Sequence, residues 1–190
     1  MKDDFRFLAK FFDLIIHPKR DIPWKEFICV TSTNNKLLDV GGGTGRVAKF
    51  LKECFKTIVI YDVSLPMLQQ LKDGENKIVR ICGEIETIAF SEESFEMAIM
   101  VDTLHHIKNQ NLAVNKILQV LKPNGIFVLE EPDIRKFPVK LIALLEKALL
   151  MRSHFLKPNE IEKWIDRDRF TLRYFEEGSN FFFVIQKKKF

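Results

Sequence analysis

The residues with the clearest chemical potential lie where an apolar run, Lys36-Leu-Leu-Asp39-Val40, meets Gly41-Gly42-Gly43-Thr44-Gly45 and a helix-forming stretch from Arg46 to about Cys54. Glycine permits tight turns and a close backbone approach that a Cβ would block, and the first turn of the helix offers unpaired N–H groups to a ligand. Strand, glycine turn and helix in this order build a nucleotide site at the carboxyl end of a parallel strand. Two registers fit the loop. Asp39 through Gly45 is an acid-x-Gly-x-Gly-x-Gly pattern, while Gly43-Thr44-Gly45-Arg46-Val47-Ala48 satisfies a looser dinucleotide fingerprint. The loop alone leaves both open. Further along, Thr57-Ile-Val-Ile-Tyr-Asp62 ends in an acid able to accept hydrogen bonds from both hydroxyls of a ribose. Asp102-Thr103-Leu-His105-His106 follows another apolar run. Imidazole titrates near neutral pH, which makes His105 and His106 candidate proton acceptors, and Glu131 is a third catalytic candidate.

These groups need elements to position them. From residue 36 to 131 strand-like runs alternate with helical patterns, as in a parallel sheet with right-handed crossovers. Strands are expected at Thr57–Asp62, Lys77–Cys82, Phe95–Val101 and after Pro123-Asn124-Gly125. Ser64 is placed to cap a helix with Pro66 in its first turn. Val114, Ile117, Leu118 and Leu121 have helical spacing, and Pro-Asn-Gly stops that helix. Asn124 suits a left-handed turn position. At the carboxyl end, Phe170–Phe175 and Asn180–Gln186 are joined by Glu-Glu-Gly-Ser, a link so short that it requires an antiparallel hairpin.

Taken along nearly its whole length, the chain resembles the class I S-adenosylmethionine-dependent methyltransferases, in particular the branch with quinone, sterol and other small-molecule enzymes. Asp39-Val-Gly41-Gly42-Gly43-Thr44-Gly45 is similar to the family's first motif, with Gly42 where a small residue is common. Asp62 matches the acid that holds the ribose hydroxyls, followed by Val63 and Met67. Gly83-Glu84-Ile85 is similar to a Gly-Asp-x segment in which the acid meets the adenine amino group, although Glu84 replaces aspartate and Ala89 replaces a proline. Asp102 and Thr103 correspond to positions near the reactive methyl, and Leu-His-His and Leu-Lys-Pro-Asn-Gly match further motifs. The resemblance implies an α/β fold with a Rossmann-like, seven-stranded, mostly parallel sheet, helices on both faces and an antiparallel C-terminal hairpin. It implies S-adenosylmethionine as cofactor, with S-adenosylhomocysteine as product, and no metal. The terminal hairpin argues against an NAD-dependent oxidoreductase, whose fold would continue with another strand and crossover. A catalytically inactive fold acting as a regulatory partner is the other alternative.

Composition bounds these readings. With 190 residues, 46% of them hydrophobic, the chain is expected to form a single domain with a sizeable core. The net charge of +4 is spread along the chain and makes no nucleic-acid stripe. Cys29, Cys54 and Cys82 lack disulfide or metal spacing, and there is no signal peptide or apolar span of about 18 residues, so a cytoplasmic protein without stable membrane insertion is expected. Residues 1–30 are expected to form a helical cover, with Phe5, Leu8, Phe12 and Ile15 on one face, and 138–165 a helical substrate-side segment. Its apolar breadth and the 18 phenylalanines favour a small hydrophobic or aromatic acceptor. The sequence carries no statement about oligomeric state.

Overall fold

The computed structural model describes residues 35–71, 77–149 and 151–189, so the expected amino-terminal cover and Cys29 lie outside the described residues. Seven strands form one sheet: β1 (Lys36–Val40), β2 (Thr57–Asp62), β3 (Ile78–Cys82), β4 (Phe95–Val101), β5 (Leu121–Pro132), β6 (Phe170–Glu177) and β7 (Asn180–Lys187). Their spatial order is β3-β2-β1-β4-β5-β7-β6. The first five are parallel, β7 runs antiparallel to β5, and β6 runs antiparallel to β7. The expected mostly parallel sheet with a terminal hairpin is what the chain forms.

Alternation in the central strands decides this. In β2, Ile58 and Ile60 enter one core while Val59 and Tyr61 enter the other; in β4, Met97 and Ile99 separate from Ala98 and Met100 in the same way. Near-continuous apolar runs of this kind are stable only when helices cover both faces, since successive side chains point to opposite sides. One core takes Val114, Ile117 and Leu118 of a helix that runs Gln110–Val120, and the other takes Ala48 and Leu51 of a helix that runs Arg46–Leu51. In chain order the helices are α1 (Arg46–Leu51), α2 (Leu65–Leu68), α3 (Gln110–Val120), α4 (Phe137–Ala148) and α5 (Pro158–Glu162).

Local signals hold at several termini. Ser64 caps α2 by accepting a hydrogen bond from the Met67 N–H at 3.4 Å, with Pro66 in the first turn. Asn124 has φ +64°. Two helices are shorter than expected. α1 ends at Leu51 and closes through a turn in which the Cys54 N–H donates to the Leu51 carbonyl at 2.9 Å. α4 ends at Ala148, and residues 151–157 form an extended strap instead of a continued helix. The strap satisfies its backbone elsewhere: the His154 N–H donates to the His105 carbonyl at 2.7 Å, and Gln110 Nε2 donates to the His154 carbonyl at 2.7 Å. α4 itself buries only Val139 fully, while Leu141, Leu144 and Leu145 are each more than half exposed. Among the described residues no helix is long and apolar enough to cross a membrane.

Candidate functional site

The sheet order reverses between β1 and β4, and this switch point gathers the predicted residues at the carboxyl ends of the strands. The glycine loop after β1 is fastened to its neighbours, with the Gly41 N–H donating to the Tyr61 carbonyl at 2.7 Å. Gly41 has φ +69°, and a Cβ there would stand 2.2 Å from Thr103 Cγ2, so β1 and β4 approach closely only because the residue is glycine. Asp62, at the end of β2, grips the same loop: Oδ2 accepts from the Gly43 N–H at 2.9 Å and Oδ1 from the Ser64 N–H at 2.7 Å.

A first cavity opens above this edge, with about 630 Å³ of free space open to solvent. Gly41, Asp62, Val63, Met67, Gly83, Ile85, Asp102, Thr103 and His106, all predicted, line it together with Val40, Tyr61 and Ile107. A second, larger cavity lies beside it, with about 1120 Å³ of free space. Asp39, Gly42, Gly43, Thr44 and His105 face this one, as do Arg46, Val139, Ile142, Glu146, Phe155 and Asn180. Three predicted residues line neither cavity. Gly45 is the left-handed N-cap of α1, and a Cβ there would meet Leu71 at 2.9 Å. Glu84 precedes a short 3-10 turn, Ile85–Thr87, and its carbonyl accepts from the Tyr61 hydroxyl at 3.2 Å. Glu131 sits behind the turn that carries the histidines.

That position gives Glu131 a structural role that its place in the sequence did not announce. Its Oε1 accepts from the Thr103 N–H at 2.8 Å and the Leu104 N–H at 2.7 Å, while Oε2 accepts from the His105 N–H at 3.3 Å. The His105 Nδ1 lies 2.6 Å from the same Oε2. The carboxylate thus ties down the amino end of the 3-10 turn Leu104–His106 and fixes the ring of His105. Burial opposes a charge on His105, but the Glu131 carboxylate overcomes it and holds this imidazole above its ordinary range. His106, in contrast, is pushed down to about 3 by burial and by the neighbouring His105. It is neutral at physiological pH, with Nδ1 3.1 Å from Ser153 Oγ.

Asp39 is the other anomalous group. It is 1% exposed, and its Oδ2 has no hydrogen-bond partner among the described residues. Burial first, then the charge of Asp62, raises its carboxyl to about 7, with Arg46 pulling the other way. A buried polar atom without a partner is costly, which makes it a place where a ligand donor is owed. Asp102 adds strain, since it holds φ +50° at the end of β4, and its Oδ2 lies 4.0 Å from Arg46 Nη2.

Sequence reading missed Tyr61, Arg46, Glu146, Phe155 and Asn180. Tyr61 was findable, because it precedes Asp62 on a strand and so faces the opposite side of the same edge. Glu146 and Phe155 depend on how α4 and the strap fold back, and no local pattern encodes that.

The doubly wound sheet with a glycine loop at its switch point defines an α/β protein with a Rossmann-like architecture. Comparison with known proteins makes this specific. Residues 38–129 match the family described as Methyltransferase domain. A ubiquinone/menaquinone biosynthesis C-methyltransferase, UbiE of Saccharophagus degradans, is 27% identical over 167 residues, covering 82% of this chain and 65% of that protein. A mitochondrial arginine-hydroxylase, NDUFAF5 of Danio rerio, is 30% identical over 92 residues, covering 48% of this chain and 29% of that protein. The chain therefore spans less than two thirds of either relative. The crystal structure of an S-adenosylmethionine-dependent methyltransferase from Mesorhizobium loti superposes with a TM-score of 0.69 at 14% identity, covering 83% of this chain and 94% of that one, which establishes the shared fold. Residues 38–129 therefore resemble the methyltransferase domain family, and the described sheet shares the fold of an S-adenosylmethionine-dependent methyltransferase.

Proposed function

We propose that the protein binds S-adenosylmethionine with its nucleoside in the first cavity and its amino acid end along the adjoining glycine loop, where Asp39 faces the second cavity, and that it directs the methyl group to a small, hydrophobic or aromatic acceptor in the remainder of that second cavity. The observation that carries this reading is the buried Asp39 Oδ2, unpartnered among the described residues, beside the Gly41–Gly43 loop, a site that fits a cationic nucleoside better than an anionic one. A dinucleotide would lay its pyrophosphate against the glycine loop, where the Asp39 carboxylate would repel it, whereas a strand-end acid such as Asp62 serves a ribose in either case. β7 also pairs antiparallel with β5, at the position where the dinucleotide reading needs a further parallel strand.

Each residue then has a defined task. Asp62 accepts hydrogen bonds from the ribose hydroxyls while it holds the loop. Gly83, Ile85 and Tyr61 make the largely apolar slot for the base. Asp39 lies toward the charged amino end, and Asp102 and Thr103 border the passage between the cavities. When bound, the sulfonium supplies a methyl group already attached to a good leaving group. Orientation alone contributes roughly 7–11 kcal/mol in well-aligned reactions, so the residues around the passage act mainly by holding donor and acceptor in line and excluding water. His106 faces both cavities, and its neutral ring lends polarity beside the acceptor without a competing charge. Val139, Ile142 and Phe155 give the second cavity the apolar wall that an aromatic acceptor requires. The quinone-pathway C-methyltransferase among the relatives supports the same substrate class.

Calorimetric titration tests this, with S-adenosylmethionine and S-adenosylhomocysteine as ligands and NADH as control. Micromolar binding of the first two and none of NADH is expected; the reverse pattern overturns the reading. Asp62→Ala is expected to weaken the cofactor by about tenfold or more, since a hydrogen bond to a charged group is worth roughly 1.5–3 kcal/mol. Unchanged affinity would remove Asp62 from the site. Gly43→Val is expected to abolish binding, because Gly43 has φ +53° and a Cβ there already stands 3.0 Å from Met67 Cε. The strained backbone costs about 1–3 kcal/mol of stability, which a urea melt will register without loss of the fold.

A further inference from the structure

Three side chains that the mechanism above leaves unused as a group meet in the wall of the second cavity. One ring nitrogen of His105, one of His106 and a carboxylate oxygen of Glu146 lie within 4.8 Å of one another. His105 and His106 come from the turn after β4, and Glu146 comes from α4, which closes over it. Glu146 Oε2 is buried and has no hydrogen-bond partner among the described residues, although a buried carboxylate oxygen ordinarily finds one. We propose that His105, His106 and Glu146 form a binding site for a divalent first-row cation of the zinc class.

Two imidazoles and one carboxylate suit such ions, with bonds of about 2.0–2.2 Å. Ligand atoms at that distance from one centre stand nearer one another than 4.8 Å, so the site closes on the cation by small side-chain rotations. The surroundings already orient the ligands. Glu131 occupies Nδ1 of His105 at 2.6 Å, which directs the other ring nitrogen outward as a lone-pair donor. A carboxylate backing a histidine in this way fixes the tautomer and raises its strength as a ligand. His106 is positioned through Ser153 Oγ at 3.1 Å from its Nδ1. Phe155 stacks on His105 with ring centroids 4.3 Å apart, which limits rotation of the ring.

Three protein ligands leave coordination positions open, and these face the cavity assigned above to the acceptor. This part of the inference rests on the methyl-transfer reading and names the substrate more closely, as a hydroxyl-bearing acceptor such as a phenol or enol. Its oxygen takes an open position, the cation's charge acidifies the hydroxyl, and the proton passes to water. The cation site itself stands on geometry alone.

The test uses the full chain, stripped with a chelator and dialysed, then titrated with zinc chloride by calorimetry and with cobalt(II) chloride by visible absorption. One equivalent of zinc bound at micromolar affinity or tighter is expected, with a cobalt spectrum typical of nitrogen and oxygen ligands. Glu146→Gln and His106→Ala should each lower zinc affinity at least tenfold, and Glu131→Gln, a positioning change, by about 10–100-fold. His154→Ala should leave it unchanged, because that side chain is outside the cluster. Absence of zinc uptake, or uptake equal in the wild type and Glu146→Gln, overturns the site. S-adenosylmethionine binding measured on the same samples separates the two readings, since cofactor binding without cation binding removes only the metal site.

Discussion

Asp39→Asn is expected to make the ligand-free protein more stable at pH 8, by up to about 4 kcal/mol, while it weakens the cofactor. The carboxyl moves from 3.8 to about 7 on folding, a shift of about 3 units at 1.36 kcal/mol each. Because the value is raised, the folded chain holds this proton more tightly than the unfolded chain. The group therefore favours the fold below about pH 4, loses that advantage as pH rises toward 7, and contributes nothing further to the slope above it. Asparagine is neutral throughout and removes the decline. Urea melts at pH 5 and pH 8 will show a smaller difference for the variant than for the wild type. An identical pH difference in both would mean that Asp39 is ionised in the folded protein without penalty. Calorimetry at pH 8 completes the test, since the charge that destabilises the empty site is the charge offered to the cationic ligand. A gain in stability with undiminished affinity would detach Asp39 from cofactor binding.

Glu131→Gln is expected to cost about 3–5 kcal/mol, the range for breaking a buried charge pair from one side. Four hydrogen atoms converge on this carboxylate, from three backbone N–H groups and the His105 ring, and glutamine presents an NH2 to donors where an oxygen is needed. There is a pH signature as well. His105 is held above its ordinary 6.5, so its pairing stabilises the fold fully below that value and is lost as pH rises through the folded pKa. In the variant this alkaline loss disappears together with the pairing. A destabilisation under 1 kcal/mol, or an unaltered alkaline limb in the stability profile, would show that the turn is held by its packing instead.

Much of the scaffold was legible because it depends on short-range rules. Near-continuous apolar runs located β2 and β4 at their observed ends, and the short polar link between the last two apolar runs forced the antiparallel pair. Ser64 and Asn124 were readable as a cap and a left-handed turn because each role needs one residue type at one position. The lining of the first cavity was legible for the same reason, since glycines and a strand-end acid carry their geometry with them. The far wall of the second was not. Glu131 was expected to face the cavity, yet three backbone donors draw it behind the turn, an arrangement created by β4 and β5 lying side by side. The segment 138–165 was expected to be helical, but bonds to the His105 carbonyl and from Gln110 give the strap at 151–157 a better use for its backbone than further helical turns. Glu146 reaches His105 across 41 positions in the chain, a contact that only the assembled fold defines.

Gly41, Met67, Asp102, Thr103 and His106 line both cavities. Two ligands that share these walls cannot have independent affinities, because whichever binds first sets the side chains that the second meets. The linkage is reciprocal: the factor by which one occupant tightens or loosens the other is the same in both directions. An acceptor analogue can therefore be ranked by how far it shifts the affinity for S-adenosylhomocysteine, with no turnover required.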